Sequence, residues 1–285
     1  MTEFQQFISS KHNLTDQSKK SYANRYKILR ENLTLDICQS SQETLIKVIK
    51  EISNENPNTA WAYLTIPIIL RNYFGLKVDK LEHFREQLKK DREKYTKEQK
   101  IESDQVLPNI KIIKEYVTQL YNSADLVKYI INFLLINYGT RNKDLNVFIT
   151  TKEHATNPEL NYLIVKQNEI EWRINNYKTL HAYGPKKIII KSKPFLIAVK
   201  SLPINSFLLN VNGSPISDNS LSKIIQRMTY NDLGEINYFK IIMKSLNNEK
   251  DAINKLHFFS KSRGSDLSTL LEYYNTNQYQ HNSDL

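Results

Sequence analysis

Cysteine is almost missing. Cys38 stands alone among 285 residues, so no disulfide can close within the chain and a Cys/His metal cluster is excluded. Glycine is scarce as well: there are 6, none in a Gly-x-x-x-x-Gly-Lys arrangement, which removes the phosphate-cradling loop of nucleotide hydrolases. The longest apolar runs, around Ala60 to Leu70 and Tyr129 to Ile136, are far shorter than the roughly 20 residues a membrane-spanning helix needs. The opening MTEFQQFISSK has no apolar stretch followed by a small-residue cleavage site, so the expectation is an intracellular, soluble protein with no membrane contact. His154 and His181 lack a metal-ligating neighbour at useful spacing, and no carboxylate pair is placed for acid–base or two-metal chemistry. Neither a metal nor a cofactor is expected.

What the sequence does have is positive charge. Lys and Arg total 40 against 30 Asp and Glu, giving a formal charge of +10, with 40% apolar residues to build cores. A polyanion is the natural partner of such a chain, and nucleic acid is the commonest polyanion. A Lys-, Asn-, Ile- and Tyr-rich composition also accompanies A/T-rich coding, which would give the charge no partner at all.

Two halves emerge from the periodicity. Residues 1–92 read as four or five short helices. The first long one, LTDQSKKSYANRYKILREN, has Thr15 as its N-cap and Tyr22, Tyr26 and Leu29 on one face, with Lys19, Lys20 and Arg25 around them. QETLIKVIKEIS, NTAWAYLTIPIILRNYFG and DKLEHFREQLKKDREK follow, each bounded by Asn, Pro or Gly. Residues 93–107 are charged with little apolar period and read as an interdomain linker. The second half, 108–285, opens with two helices, and the second of these, SADLVKYIINFLLINYG, is apolar enough to be a buried central helix. NYLIVKQ, EIEWRINNY and KKIIIKS then read as three short antiparallel strands, with a Gly-Pro breaker before the last. NSLSKIIQRMT, INYFKIIMKSL, EKDAINKLHFF and SDLSTLLEYYN return to helical period. The fold class is mainly α: a helical N-terminal domain, a linker, and an α-rich second domain with a small three-stranded sheet.

In this order of elements the chain resembles the tyrosine recombinase, or phage-integrase-like, family over nearly its whole length. The resemblance implies a core-binding domain followed by a catalytic domain. INYGTRNKDLN is similar to the family box at the end of a buried helix, with Arg141 and, in the acidic position, Asp144. NNYKTLHAYGPKK offers Lys178 as the hairpin lysine, with Lys186 and Lys187 as rivals across the turn. FLLNVNGSPISDNSLSKIIQ is the most family-like stretch. The family's His-x-x-Arg box falls on INYFKIIMKSL with both residues exchanged, Asn237 for the histidine and Lys240 for the arginine. Nine residues before Tyr273, where the family carries a ring, stands Gly264, and counting from Tyr274 instead reaches Ser265.

The implied reaction is attack of a tyrosine on a DNA phosphodiester, giving a 3′-phosphotyrosine and a free 5′-hydroxyl, with no cofactor. Arg141 would hold non-bridging oxygens, Lys178 would protonate the leaving oxygen, Lys240 would supply a second charge, Asn237 could only hydrogen-bond, and Tyr273 would be the nucleophile. Lys19, Lys20, Arg25, Arg71 and Arg263 are the expected DNA contacts. The partner is double-stranded DNA, bound by a tetramer on paired sites. Each residue also has a plain alternative: Arg141 as a helix C-terminal partner, Lys178 as a solvated charge, Asn237 as a helix cap, Lys240 as part of a basic face, and the tyrosines as packing. A recombinase-derived protein that binds DNA without cutting it is the second reading. The first predicts Arg141, Lys178 and Lys240 around one phosphate-sized basic cavity.

Overall fold

A computed structural model describes residues 3–11, 14, 16–152, 157–246 and 251–274. Thr15, expected as an N-cap, lies outside the described residues. The chain divides into two compact units, Met1–Ser103 and Asp104–Leu285.

The described elements of the first unit are all helices: α1 (Glu3–Ser10), α2 (Asp16–Glu31), α3 (Gln42–Ser53), α4 (Pro57–Tyr73) and α5 (Asp79–Gln105), the last running on beyond the unit. Helix α3 starts where the Ser41 side chain accepts from Thr44 N, and it ends at Asn54 in the left-handed region. Helix α4 starts with Asn56 accepting from Asn58 N and Thr59 N and with Pro57 in its first turn, where a missing N–H costs nothing. Helix α4 packs on α1, α2 and α3, and Leu29, Leu45, Ile49, Leu64, Ile66, Leu70 and Leu81 are fully buried between them. Each such side chain contributes about 1.5–3 kcal/mol. The segment 93–107, read as a linker, is helical as far as Gln105.

The second unit is built around α7 (Leu126–Tyr138), which packs on α6 (Ile110–Asn122), α9 (Lys193–Lys200), α10 (Asp218–Met228), α11 (Gly234–Leu246) and α12 (Ala252–Arg263). Two short elements complete its helices: α8 (Leu180–Tyr183) and α13 (Leu267–Tyr274). Burial on all sides of α7 explains its continuous apolar sequence, with Ile130, Ile131, Leu134 and Leu135 at most 1% exposed. One polar residue in this helix, Asn132, is 0% exposed and fully engaged. Its Nδ2 donates to Lys128 O and Met228 O, and its Oδ1 accepts from the Tyr238 hydroxyl at 2.5 Å, while that oxygen accepts from Tyr230 N.

The three expected strands are present and antiparallel: β2 (Asn161–Val165), β3 (Ile170–Ile174) and β4 (Lys186–Ile190). The sheet extends two strands further, to β1 (Val147–Thr150), parallel to β2, and β5 (Ser206–Phe207), antiparallel to β1, in the order β4-β3-β2-β1-β5. These two strands are four and two residues long, too short for an alternating pattern to stand out in the sequence. A hairpin of β6 (Asn210–Val211) and β7 (Ser214–Pro215) turns through Asn212 and Gly213, both at positive φ, and leads into α10 after Ser217.

Asparagines fix the start of the β3–β4 connection. Buried Asn161 Oδ1 accepts from Asn175 N and Asn176 N, its Nδ2 donates to Lys143 O and Asn176 O, and the two following amides return to Leu160 O and Glu159 O. Every bond made here holds the segment that presents Tyr177 and Thr179.

Candidate active site

Helix α7 ends at Gly139, where φ is +60° and an added Cβ would lie 2.5 Å from the Phe239 ring. Only glycine fits this close approach. The chain then passes through buried Thr140 to Arg141, which opens a 3₁₀ turn over Asn142–Leu145. Asp144, 0% exposed, reaches back so that its Oδ2 accepts from Arg141 N at 3.0 Å. Burial lifts this carboxyl to about 6, against the lowering effects of the Arg141 amide, Lys186 and the Arg141 charge.

The Arg141 guanidinium lies between two hydroxyls from distant segments. Its Nη1 donates to Thr179 Oγ1 at 3.3 Å and its Nη2 to Ser265 Oγ at 2.8 Å. Thr179 in turn donates to Gly264 O at 2.8 Å. Lys186, at the start of β4, extends its amine over the Tyr177 ring, 3.8 Å from the centroid, and donates to Ser262 O at 3.0 Å. Its pKa is lowered to about 8: burial is the main cause, Asp144 opposes it, and the neighbouring Arg141 charge adds to it. Gly264 caps α12 in the left-handed region, and a Cβ there would meet Lys186 Nζ and Thr179 Oγ1 at 2.7 Å each. The corner therefore combines a planar five-donor cation, an ammonium poised near neutrality, two hydroxyls and a buried carboxyl. That set suits the oxygens of a phosphodiester and can deliver a proton to one of them. Among the described residues, no group of three or more His, Cys, Asp and Glu side chains gathers in a way that could hold a metal ion.

No family model and no curated protein matches the chain. Among solved structures it is similar to the crystal structure of XerA recombinase, at 10% identity over 99% of this chain and 96% of that chain, with a TM-score of 0.37. A likeness that slight assigns no family, so the site is weighed by its own residues.

The residues expected from the sequence fall in different places. Arg141 lies at the centre of the corner. Lys178 is exposed and makes no hydrogen bond or ion pair among the described residues, because it stands between inward-facing Tyr177 and Thr179. Lys186, its rival in the sequence, is the lysine beside Arg141. Asn237 is half-buried on α11 and donates to Leu233 O of its own helix at 3.0 Å. Lys240 is 9% exposed on the same helix. Tyr273 and Tyr274 belong to the last turn of α13, and their side chains lie outside the described residues. The segment SKSRGSD, residues 260–266, begins as the last turn of α12, and His257 on that helix is exposed.

Two of the expected DNA contacts are engaged within the protein. Arg263 is 3% exposed, with Nη1 on Gly139 O and Thr140 O and Nη2 on Glu235 Oε1, so it lies inside the unit. Arg71 directs Nε to Lys77 O and Nη1 to Cys38 O and Ser40 O, which ties the end of α4 to the α2–α3 connection. A guanidinium committed to three carbonyls is a structural tie. Lys19, Lys20 and Arg25 lie on α2, with Lys20 exposed and the other two half-buried, and none makes an ion pair among the described residues. Of the side chains that complete the corner, Thr179 and Glu235 carry no signal in the sequence, and Ser265 carried one only as the residue nine before Tyr274. Lys186 carried one, its place across the hairpin from Lys178.

Among the described residues, no helix is long and apolar enough to cross a membrane.

Proposed function

We propose that the protein is a DNA strand transferase of the tyrosine-recombinase type. The observation that supports this most is the convergence of Arg141, Thr179, Lys186 and Ser265 at one corner, joined through Asp266 directly to the helix that carries Tyr273. In the proposed step the Tyr273 hydroxyl gives up its proton to solvent water as its oxygen attacks phosphorus, the bond from phosphorus to the 5′ oxygen breaks, and a 3′-phosphotyrosine forms. Lys186 gives its proton to the departing 5′ oxygen, and a 5′-hydroxyl reverses the sequence on rejoining. Arg141 meets the charge on the non-bridging oxygens in place of the two hydroxyls it now holds, and Lys240 adds a second positive charge from α11. Asn237, with its amide committed to its own helix, takes no role in the step. Double-stranded DNA is the substrate, held by a tetramer on paired sites.

A nicked duplex that traps the covalent intermediate tests this. The native chain should form an adduct stable to detergent, Tyr273→Phe should abolish it, and Lys186→Ala should slow it far more than Lys178→Ala. Loss in Tyr274→Phe instead would move the nucleophile by one residue. That register has its own support, since Ser265, nine residues before Tyr274, is the side chain on Arg141.

The second reading is a DNA-binding protein that no longer cleaves. It is favoured by Asn237 and Gly264, which offer no ring where the resemblance expects one. Tight DNA binding by the native chain with no adduct on any nicked duplex would decide for it.

A further inference from the structure

The main chain around Arg141 is held from both sides by charged side chains. Ahead of it, Arg263 Nη1 donates to Gly139 O at 2.8 Å and Thr140 O at 3.3 Å. Behind it, Glu235 Oε2 accepts from Asn142 N at 2.8 Å. The two clamping side chains are joined to each other, Arg263 Nη2 to Glu235 Oε1 at 2.5 Å, with side-chain exposures of 4% and 12%. The guanidinium also lies 4.4 Å from the Phe239 ring, the ring that excludes a Cβ at residue 139. The main-chain polar groups on either side of the Arg141 Cα are therefore set by buried ions of α11 and α12.

A buried ion pair is weak evidence for stability, because desolvation offsets much of its attraction. What this pair adds is direction: one guanidinium reaches a carboxylate and two main-chain carbonyls at once, which fixes where the chain turns. Arg263 also belongs to the turn that holds the other members of the corner. Ser262 O accepts from Lys186, Gly264 O from Thr179, and Ser265 Oγ from Arg141.

We infer that Arg263 and Glu235 are positioning residues for Arg141. They act through the main chain of residues 139–142 and couple Arg141 to the α12–α13 turn. The consequence for chemistry rests on the reading of Arg141 as a phosphate clamp, whereas the consequence for geometry does not.

The test uses the full chain labelled with ¹⁵N-arginine, the Arg141 Nε–H resonance being assigned by its loss in Arg141→Lys. In folded Glu235→Gln and Arg263→Lys the Arg141 resonance should shift or broaden. Adduct formation on the nicked duplex should fall roughly 10-fold or more, while DNA affinity stays within about twofold of native. Tyr238→Phe, which disturbs α11 through the buried Asn132 bond, should move neither readout. An unmoved Arg141 resonance in both clasp variants overturns the inference, and so does an equal displacement in Tyr238→Phe. If Arg263→Lys does not fold, Glu235→Gln decides alone, since it keeps the side-chain shape while removing the charge and one of the two acceptor oxygens. If the native chain forms no adduct, the recombinase reading fails and the resonance still decides the clasp.

Discussion

The two units carry positive charge in opposite ways. On α2 of the first unit, Lys20 is exposed and Lys19 and Arg25 are half-buried, none in an ion pair among the described residues, and nearby ion pairs such as Lys27 with Glu31 are local, one helical turn apart. In the second unit the decisive cations are buried or half-buried, and their partners are far away in sequence: Arg141 with Ser265, and Arg263 with Gly139, are each 124 residues apart. Surface charges act independently and are screened by salt, while interlocked charges act as a unit. A residue that serves DNA affinity should thus be separable from stability in the first unit and inseparable from it in the second.

The largest effect that could break this contrast is at Arg141. Arg141→Lys keeps the charge and loses the planar fork, and adduct formation should fall roughly 10²–10³-fold. A fall below tenfold would mean that charge alone suffices.

Next come two glycines at similar φ. Gly264→Ala should cost roughly 2–5 kcal/mol in urea unfolding of the second unit, because strain adds to overlap with Lys186 and Thr179. Gly75→Ala in the first unit, with φ +68° and open space around it, should cost only about 1 kcal/mol. Equal costs would erase the distinction between a packed and an open left-handed site.

A pH series sharpens the comparison further. Burial raises the folded-state Asp144 value to about 6, above its unfolded value, so folding favours the protonated form. That contribution is complete below about pH 4 and is lost as the pH rises through about 6. Asp144→Asn should remove this dependence, leaving the native protein to lose roughly 1–3 kcal/mol relative to the variant across the window. Parallel stability curves for the two proteins would remove Asp144 from the account.

The smallest effect belongs to α2. Replacing Lys19, Lys20 and Arg25 by Ala should leave stability within about 0.5 kcal/mol, yet flatten the salt dependence of DNA binding by roughly 0.9 per lost phosphate contact. In Arg71→Ala the outcome reverses. Stability should fall by about 1–3 kcal/mol as three carbonyls lose their donor, and the salt slope should stay as it was.

Periodicity made most of the longer helices, the buried α7 and the strands β2, β3 and β4 legible, because each is long enough to show one period, whereas α8 and α9 were not read. Strands β1 and β5 are not, and α5 runs on through a charged stretch without an apolar stripe. Arg141 was singled out through the family box that INYGTRNKDLN resembles, and its two hydroxyl partners were not. Arg263 was misread for a physical reason: an arginine beside lysine and serine in an uneven segment has the composition of a surface, and only its distant carbonyls reveal a buried one. Thr179 has ordinary neighbours and acquires meaning only through a bond across 38 residues. Lys186 could not be told from Lys187 because adjacent strand residues differ only in the face they take.

That last ambiguity has a consequence for how the hairpin finds its pairing. Strand β4 reads KKIII, so sliding it by one position against β3 replaces lysine by lysine and isoleucine by isoleucine over most of its length. The strand contains almost no information about its own alignment. The alignment must come from outside it: from Glu171, fully buried, which receives Lys187 at 3.0 Å on one face, and from the connection, where the Tyr177 hydroxyl donates to Gly184 O at 2.7 Å. Shortening or lengthening that connection by a single residue would exchange which lysine is buried and which meets water, without altering a letter of the strand.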